Sequence, residues 1–115
     1  MIISNSNPQP VNEVDVAQAF DMNKQGALLL DVREPNEYAE IHAPDAILIP
    51  LGQLKTRFPE IAAYKDVPIV VICRSGVRSA AATQLLQAAG YSLVSNIKGG
   101  ILAWERAGLT VVRKS

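Results

Sequence analysis

The stretch Pro68-Ile69-Val70-Val71-Ile72-Cys73-Arg74-Ser75-Gly76-Val77-Arg78-Ser79 decides how this chain reads. Four β-forming residues in a row make Pro68 to Ile72 a predicted strand buried on both faces, because no polar residue alternates with them. Ser79 to Ala89 is rich in Ala and Leu and stops at Gly90, as a helix does. Six residues, Cys73 to Arg78, turn between the two.

Working outward, the same alternation recurs. Asn12 reads as a helix cap, with Asp15 three positions on and Val14, Ala17 and Phe20 as the apolar face. Ala27 to Val32 reads as a buried strand closing on an acid. Pro35 opens a short helix running to about Ile41. Ala46 to Ile49 is a further strand, halted by Pro50. Leu51 to Tyr64 is helical with an interruption near Pro59, and Leu93 to Ile97 is the last strand. Gly99-Gly100 turns into a final helix carrying Leu102, Ala103 and Trp104. Strands alternating with helices predict α/β: an open doubly wound parallel sheet with helices on both faces. In such sheets ligands bind beyond the carboxyl ends of the strands. Asp31-Val32-Arg33 and the Cys73 loop both fall there.

The chain has 115 residues, one domain's length. Residues 1–10 read as a loose tail and residues 11–115 as the domain. The longest apolar run, Ile69 to Cys73, falls far short of the ~20 residues a membrane span needs. Residues 1–10 carry no basic residue and no signal-length apolar stretch, so the expected compartment is the cytoplasm. A single cysteine excludes an internal disulfide, and with one histidine it excludes an all-Cys/His zinc site. No metal and no organic cofactor are expected.

Net charge is zero but unevenly spread: residues 1–66 hold ten acids and five bases, residues 67–115 one acid and six bases. No carboxylate lies between Asp66 and Glu105, the interval that contains Cys73, Arg74, Arg78 and Lys98. Basic residues are not interleaved with aromatics in a tract, so no nucleic-acid partner is expected, and no membrane partner either.

A loop ahead of a helix points backbone N–H groups inward and adds the positive end of the helix dipole. Gly76 frees the backbone, and Arg74 and Arg78 add charge. Together these favour an anion, first of all the Cys73 thiolate. An ordinary thiol is only about 3% ionised at pH 7, and reaching about 90% takes roughly 3.4 kcal/mol of differential stabilisation. Two arginines and a helix terminus are expected to supply it; the plainer reading is a buried, inert cysteine. A Cys–His protease would need His42 beside Cys73, which nothing in the sequence arranges, and a disulfide oxidoreductase would need a resolving cysteine. Thiolate attack on a phosphate or arsenate, and acceptance of sulfur as a persulfide, both remain open.

Four segments in order resemble the rhodanese family of sulfurtransferases in its single-domain form. These are Asp31-Val32-Arg33-Glu34-Pro35-Asn36-Glu37-Tyr38, His42-Ala43-Pro44-Asp45-Ala46 through Ile49-Pro50-Leu51, the Cys73–Ser79 loop, and Lys98-Gly99-Gly100-Ile101-Leu102-Ala103-Trp104 through Leu109. The resemblance implies a five-stranded parallel sheet and an enzyme that moves a sulfane sulfur. The donor would be a small thiosulfate-like anion, and cyanide, a thiol or a protein the acceptor. Cys73 would carry the persulfide, and the backbone N–H groups of Arg74, Ser75, Gly76, Val77 and Arg78 would cradle the sulfur. Arg74 and Arg78 would orient the donor, with Asp31, Arg33 and Ser79 in support. The six-residue loop favours sulfur over the longer loop of phosphatases of this fold. The alternatives are a phosphatase or arsenate reductase on the same scaffold, and a non-catalytic binding module. Ile41 and Asp45 stand where the family usually has glycine and Thr110 where it often has proline; aspartate tolerates the left-handed geometry of a turn. Asp31 and Arg33 are expected to join neighbouring loops, His42 to make local hydrogen bonds, and Tyr38 and Trp104 to pack in the core or against helices.

Overall fold

The computed structural model describes residues 11–115, and the tail expected over residues 1–10 lies outside the described residues. In chain order the elements are β1 (Glu13–Val14), α1 (Val16–Lys24), β2 (Leu28–Asp31), α2 (Pro35–Glu40), β3 (Ile41–His42), β4 (Ile47–Leu48), β5 (Ile69–Ile72), α3 (Val77–Ala88), β6 (Val94–Ile97), α4 (Gly100–Arg106) and β7 (Val112–Arg113). Two 3₁₀ segments, Leu51–Gln53 and Lys55–Tyr64, join β4 to β5.

Five strands form a parallel sheet in the order β1-β6-β5-β2-β4. Every residue of β2 and β5 is buried, as the apolar runs Leu28–Leu30 and Ile69–Ile72 require, and Asp31 is buried with them. Side chains alternate along each strand and so divide between two cores. Leu28, Leu30, Ile69 and Val71 face Ala82 and Leu86 of α3, Leu54 between the 3₁₀ segments, and Ile61 of the second. Leu29, Val70 and Ile72 face Val16 and Ala19 of α1 and Ile101 and Trp104 of α4. Helices therefore cover both faces, as expected. Among the described residues no helix is long and apolar enough to cross a membrane.

Local chemistry shifted several boundaries. The first helix starts at Val16, not near Asn12, because Glu13 and Val14 pair with Asn96 and Ile97 at the sheet edge. That pairing supplies the fifth strand, which no sequence periodicity located. Asp15 takes over as cap: its carboxylate accepts from Gln18 N at 2.8 Å, and Gln18 Oε1 accepts from Asp15 N at 2.9 Å. The buried face is Val16 and Ala19, leaving Ala17 exposed. The segment up to Tyr64 is 3₁₀, and its break falls at Ile61, just beyond Pro59. β3 pairs antiparallel with β7, a small ribbon that two-residue strands do not announce in sequence.

Asp45 adopts a left-handed φ of 69°, so the turn keeps the shape that a glycine would give it. Trp104 is buried against Phe20, and its Nε1–H donates to the carbonyl of Thr110 at 2.9 Å. Register then positions the site. Asp31 lies beside Ile72, and Val32 N–H donates to Ile72 O at 3.1 Å, so the loops leaving β2 and β5 open at one edge.

Candidate active site at the Cys73 loop

Cys73 leaves the end of β5, and α3 begins at Val77, two residues earlier than the sequence suggests. Gly76 makes this possible: at φ 111° it occupies the left-handed region as the residue before the helix. The chain turns so sharply that Gly76 N–H donates back to Cys73 Sγ at 3.1 Å. One helical turn on, the Ser79 hydroxyl lies 3.2 Å from the same sulfur.

Cys73 is 1% exposed, the burial expected of a structural cysteine, and it borders the apolar core. Burial pushes its thiol up. The Ser79 hydroxyl and the backbone N–H groups of Ser79, Gly76 and Ser75 push it down by more, and the thiol settles below its ordinary range. Hydrogen bonds to the charged form outweigh desolvation here. The sulfur is a buried group surrounded by donors, which is the environment of an anion.

The hydrogen bonds to the sulfur come from Ser79 and the loop backbone, and Arg78 acts on it through its charge. Arg74 is exposed on the loop. The Arg78 guanidinium forks onto Glu37 of α2, with Nη1 2.6 Å from Oε1 and Nη2 2.9 Å from Oε2. Arg78 holds the Glu37 carboxyl down at about 2 against an opposing push from burial, with help from the Glu34 backbone N–H. The Arg78 charge is thus paired with Glu37 in this structure. In sequence Glu37 stands out only as part of the Asp31–Tyr38 segment.

Two further residues build the loop and were missed. Gly100, at φ 57°, backs it: a Cβ there would lie 2.3 Å from Cys73 O and 2.5 Å from the carbonyl carbon and oxygen of Arg74. Ile101 N–H donates to Cys73 O at 2.8 Å and Leu102 N–H to Arg74 O at 3.2 Å. The first turn of α4 thereby holds two loop carbonyls. In sequence Gly99-Gly100 reads as a turn inside the family-like segment that begins at Lys98. Asn96 of β6 is buried, with its Oδ1 2.5 Å from Ser79 Oγ and its Nδ2 3.2 Å from Gly76 O. The available signal was a carboxamide next to Ser95 in a short strand flanked by apolar residues.

Asp31 and Arg33 are buried at 0% and 2% exposure and pair with each other at 2.8 Å. Arg33 also donates to Ile41 O at 2.7 Å and to Glu37 O at 3.5 Å, so it ties the β2 loop to α2, the helix that carries Glu37. His42 stacks on Tyr38 with ring centroids 3.9 Å apart, and its Nδ1 lies 2.8 Å from Tyr38 O, a local arrangement as expected.

Comparison with known proteins gives this arrangement a family. The model of the rhodanese-like domain matches residues 15–107. A sulfurtransferase of Allochromatium vinosum is 40% identical over 104 residues, covering 89% of this chain and 95% of that protein. The thiosulfate sulfurtransferase GlpE of Actinobacillus pleuropneumoniae serotype 3 is 35% identical over 100 residues, 86% of this chain and 91% of that one. A rhodanese-related protein of Thermoplasma volcanium has a solved structure that superposes with a TM-score of 0.79 at 32% identity, covering 88% of this chain and 97% of that one. In the structure of reduced Bacillus anthracis CoADR-RHD the match (33% identity, TM-score 0.76, 82% of this chain) spans only 16% of a longer chain. From residue 15 to residue 107, then, sequence and architecture agree, and the chain belongs to the rhodanese-like domain family.

Proposed function

We propose that this protein is a sulfurtransferase that moves a sulfane sulfur from a small anionic donor such as thiosulfate to a thiophilic acceptor through a Cys73 persulfide. The observation that carries the reading is the set of donors converging on Cys73 Sγ from Gly76, Ser79 and Ser75. A thiol held below its ordinary range needs no separate base to become a nucleophile. In the first step the thiolate attacks the outer sulfur of thiosulfate. The new S–S bond forms as the old one breaks, and sulfite leaves with the electron pair. In the second step cyanide or a thiolate attacks the terminal sulfur and leaves as thiocyanate or a persulfide, which restores the Cys73 thiolate. The inward N–H groups of the loop hold charge on the transferred atom. Arg74 is exposed and belongs to no ion pair among the described residues, so it is the loop cation open to the incoming anion.

Intact-mass measurement after exposure to thiosulfate tests the reading. A gain of one sulfur atom that cyanide removes, absent from Cys73→Ser, is the expected result. No gain in the native protein would instead make the domain a binding module.

A further inference from the structure

Ser79 has one hydroxyl proton and two acceptors for it: Asn96 Oδ1 at 2.5 Å and Cys73 Sγ at 3.2 Å. We propose that Asn96 is a positioning residue of the sulfur site, whose carboxamide oxygen competes with the Cys73 sulfur for that proton and so limits how readily Cys73 ionises.

The carboxamide is oriented by its other end. Its two N–H hydrogens go to acceptors that cannot donate, Gly76 O at 3.2 Å and Glu13 Oε2 at 3.1 Å. Oδ1 is left facing Ser79 and can only accept. The Asn96 backbone is held as well, its N–H donating to Asn12 O at 2.8 Å. Cys73, Ser79 and Asn96 are 1%, 0% and 2% exposed, so water does not replace a lost partner. Thr83 donates to Ser79 O at 2.8 Å and fixes the helix turn that carries the hydroxyl.

While Cys73 is protonated its sulfur is a weak acceptor, and the hydroxyl stays with Asn96. Once the sulfur is charged it draws the hydroxyl, and Asn96 Oδ1 is left buried without a donor, which opposes ionisation. The charged groups set around this cluster are Glu13 behind Asn96, the Arg78–Glu37 pair across α3 and α2, exposed Arg74 on the loop, and the Asp31–Arg33 pair at the end of β2. None of them reaches the Ser79 hydroxyl. Resting on the sulfur-transfer reading, the same competition returns the hydroxyl to Asn96 when charge moves out to the terminal sulfur of the persulfide, and leaves Cys73 a more basic, more nucleophilic sulfur than a fully solvated donor set would.

The test is a titration of thiolate ultraviolet absorbance, with Cys73→Ser as the baseline, for Asn96→Leu in the native and Ser79→Ala backgrounds. A downward shift of the midpoint with Ser79 present, and no shift with Ser79→Ala, is the expected pattern. An unchanged or raised midpoint, or an equal shift in both backgrounds, would overturn the proposal. Should Asn96→Leu fail to fold, asparagine-labelled native protein gives the answer by NMR. The Asn96 carboxamide resonance is expected to move with the Cys73 midpoint and to stop doing so in Ser79→Ala; no movement, or movement that persists in Ser79→Ala, overturns the proposal. Sulfur uptake is measured in parallel. Loss of uptake with the titration pattern intact would discard the enzymatic reading and leave the competition standing.

Discussion

Arg78 and Glu37, 41 residues apart in the chain, form a two-pronged ion pair beside the Cys73 loop, with N···O distances of 2.6 and 2.9 Å. The pair links α3 to α2 at the edge where the loop opens. Its side chains are 35% and 26% exposed, so solvent screens it and its worth is at most about 1 kcal/mol.

Glu37→Gln is therefore expected to lower stability by up to about 1 kcal/mol at neutral pH. The Glu37 carboxyl sits at about 2 in the folded protein, below its value in the unfolded chain. Its contribution is present above the unfolded value and lost as pH falls toward 2. Urea midpoints of the two proteins are expected to differ at pH 7 and to converge on acidification. A difference that persists in acid would mean the pair contributes nothing.

The same variant frees Arg78. Thiosulfate KM is expected to fall several-fold, while Arg74→Ala raises it by roughly ten-fold, near 1.4 kcal/mol. Steady-state kinetics with thiosulfate and cyanide check both; a rise of KM in Glu37→Gln would show that the pair itself shapes the donor site.

Gly100→Ala is expected to destabilise by about 1–3 kcal/mol and to abolish sulfur uptake. The added Cβ would meet the Cys73 carbonyl oxygen at 2.3 Å, and that oxygen is backbone that cannot swing away. Gly52, with nothing within 4 Å of its position, is the control whose alanine variant keeps both stability and uptake. Thermal melts and intact mass distinguish the two.

Alkylation of Cys73 by iodoacetamide is expected to follow a pH midpoint below that of an ordinary thiol, because donors from Ser79, Gly76 and Ser75 favour the thiolate. Ser79→Ala removes one donor and is expected to raise that midpoint. An unshifted midpoint in Ser79→Ala would assign the effect to the backbone N–H groups alone.

The two central strands and the cysteine turn were legible because their signals are local. Leu28 to Leu30 and Ile69 to Ile72 are apolar runs that only a sheet covered on both faces can bury. Gly76 and the Ala-rich run after it mark a turn and a helix within a dozen residues. The first helix was misplaced for the opposite reason. Glu13 and Val14 are a strand only because Asn96 and Ile97 lie beside them, and a two-residue edge has no period to detect.

By itself, then, the sequence determined the layers, the central strands and the position of Cys73 at the end of one of them, since periodicity and turn chemistry act over a few neighbouring residues. Only the tertiary structure decided that Arg78 pairs with Glu37, that Gly100 backs the loop, and that Asn96 reaches Ser79. Those relationships arise from strand register and helix docking between distant segments, where a hydrogen bond exists only once the whole sheet has placed both of its ends.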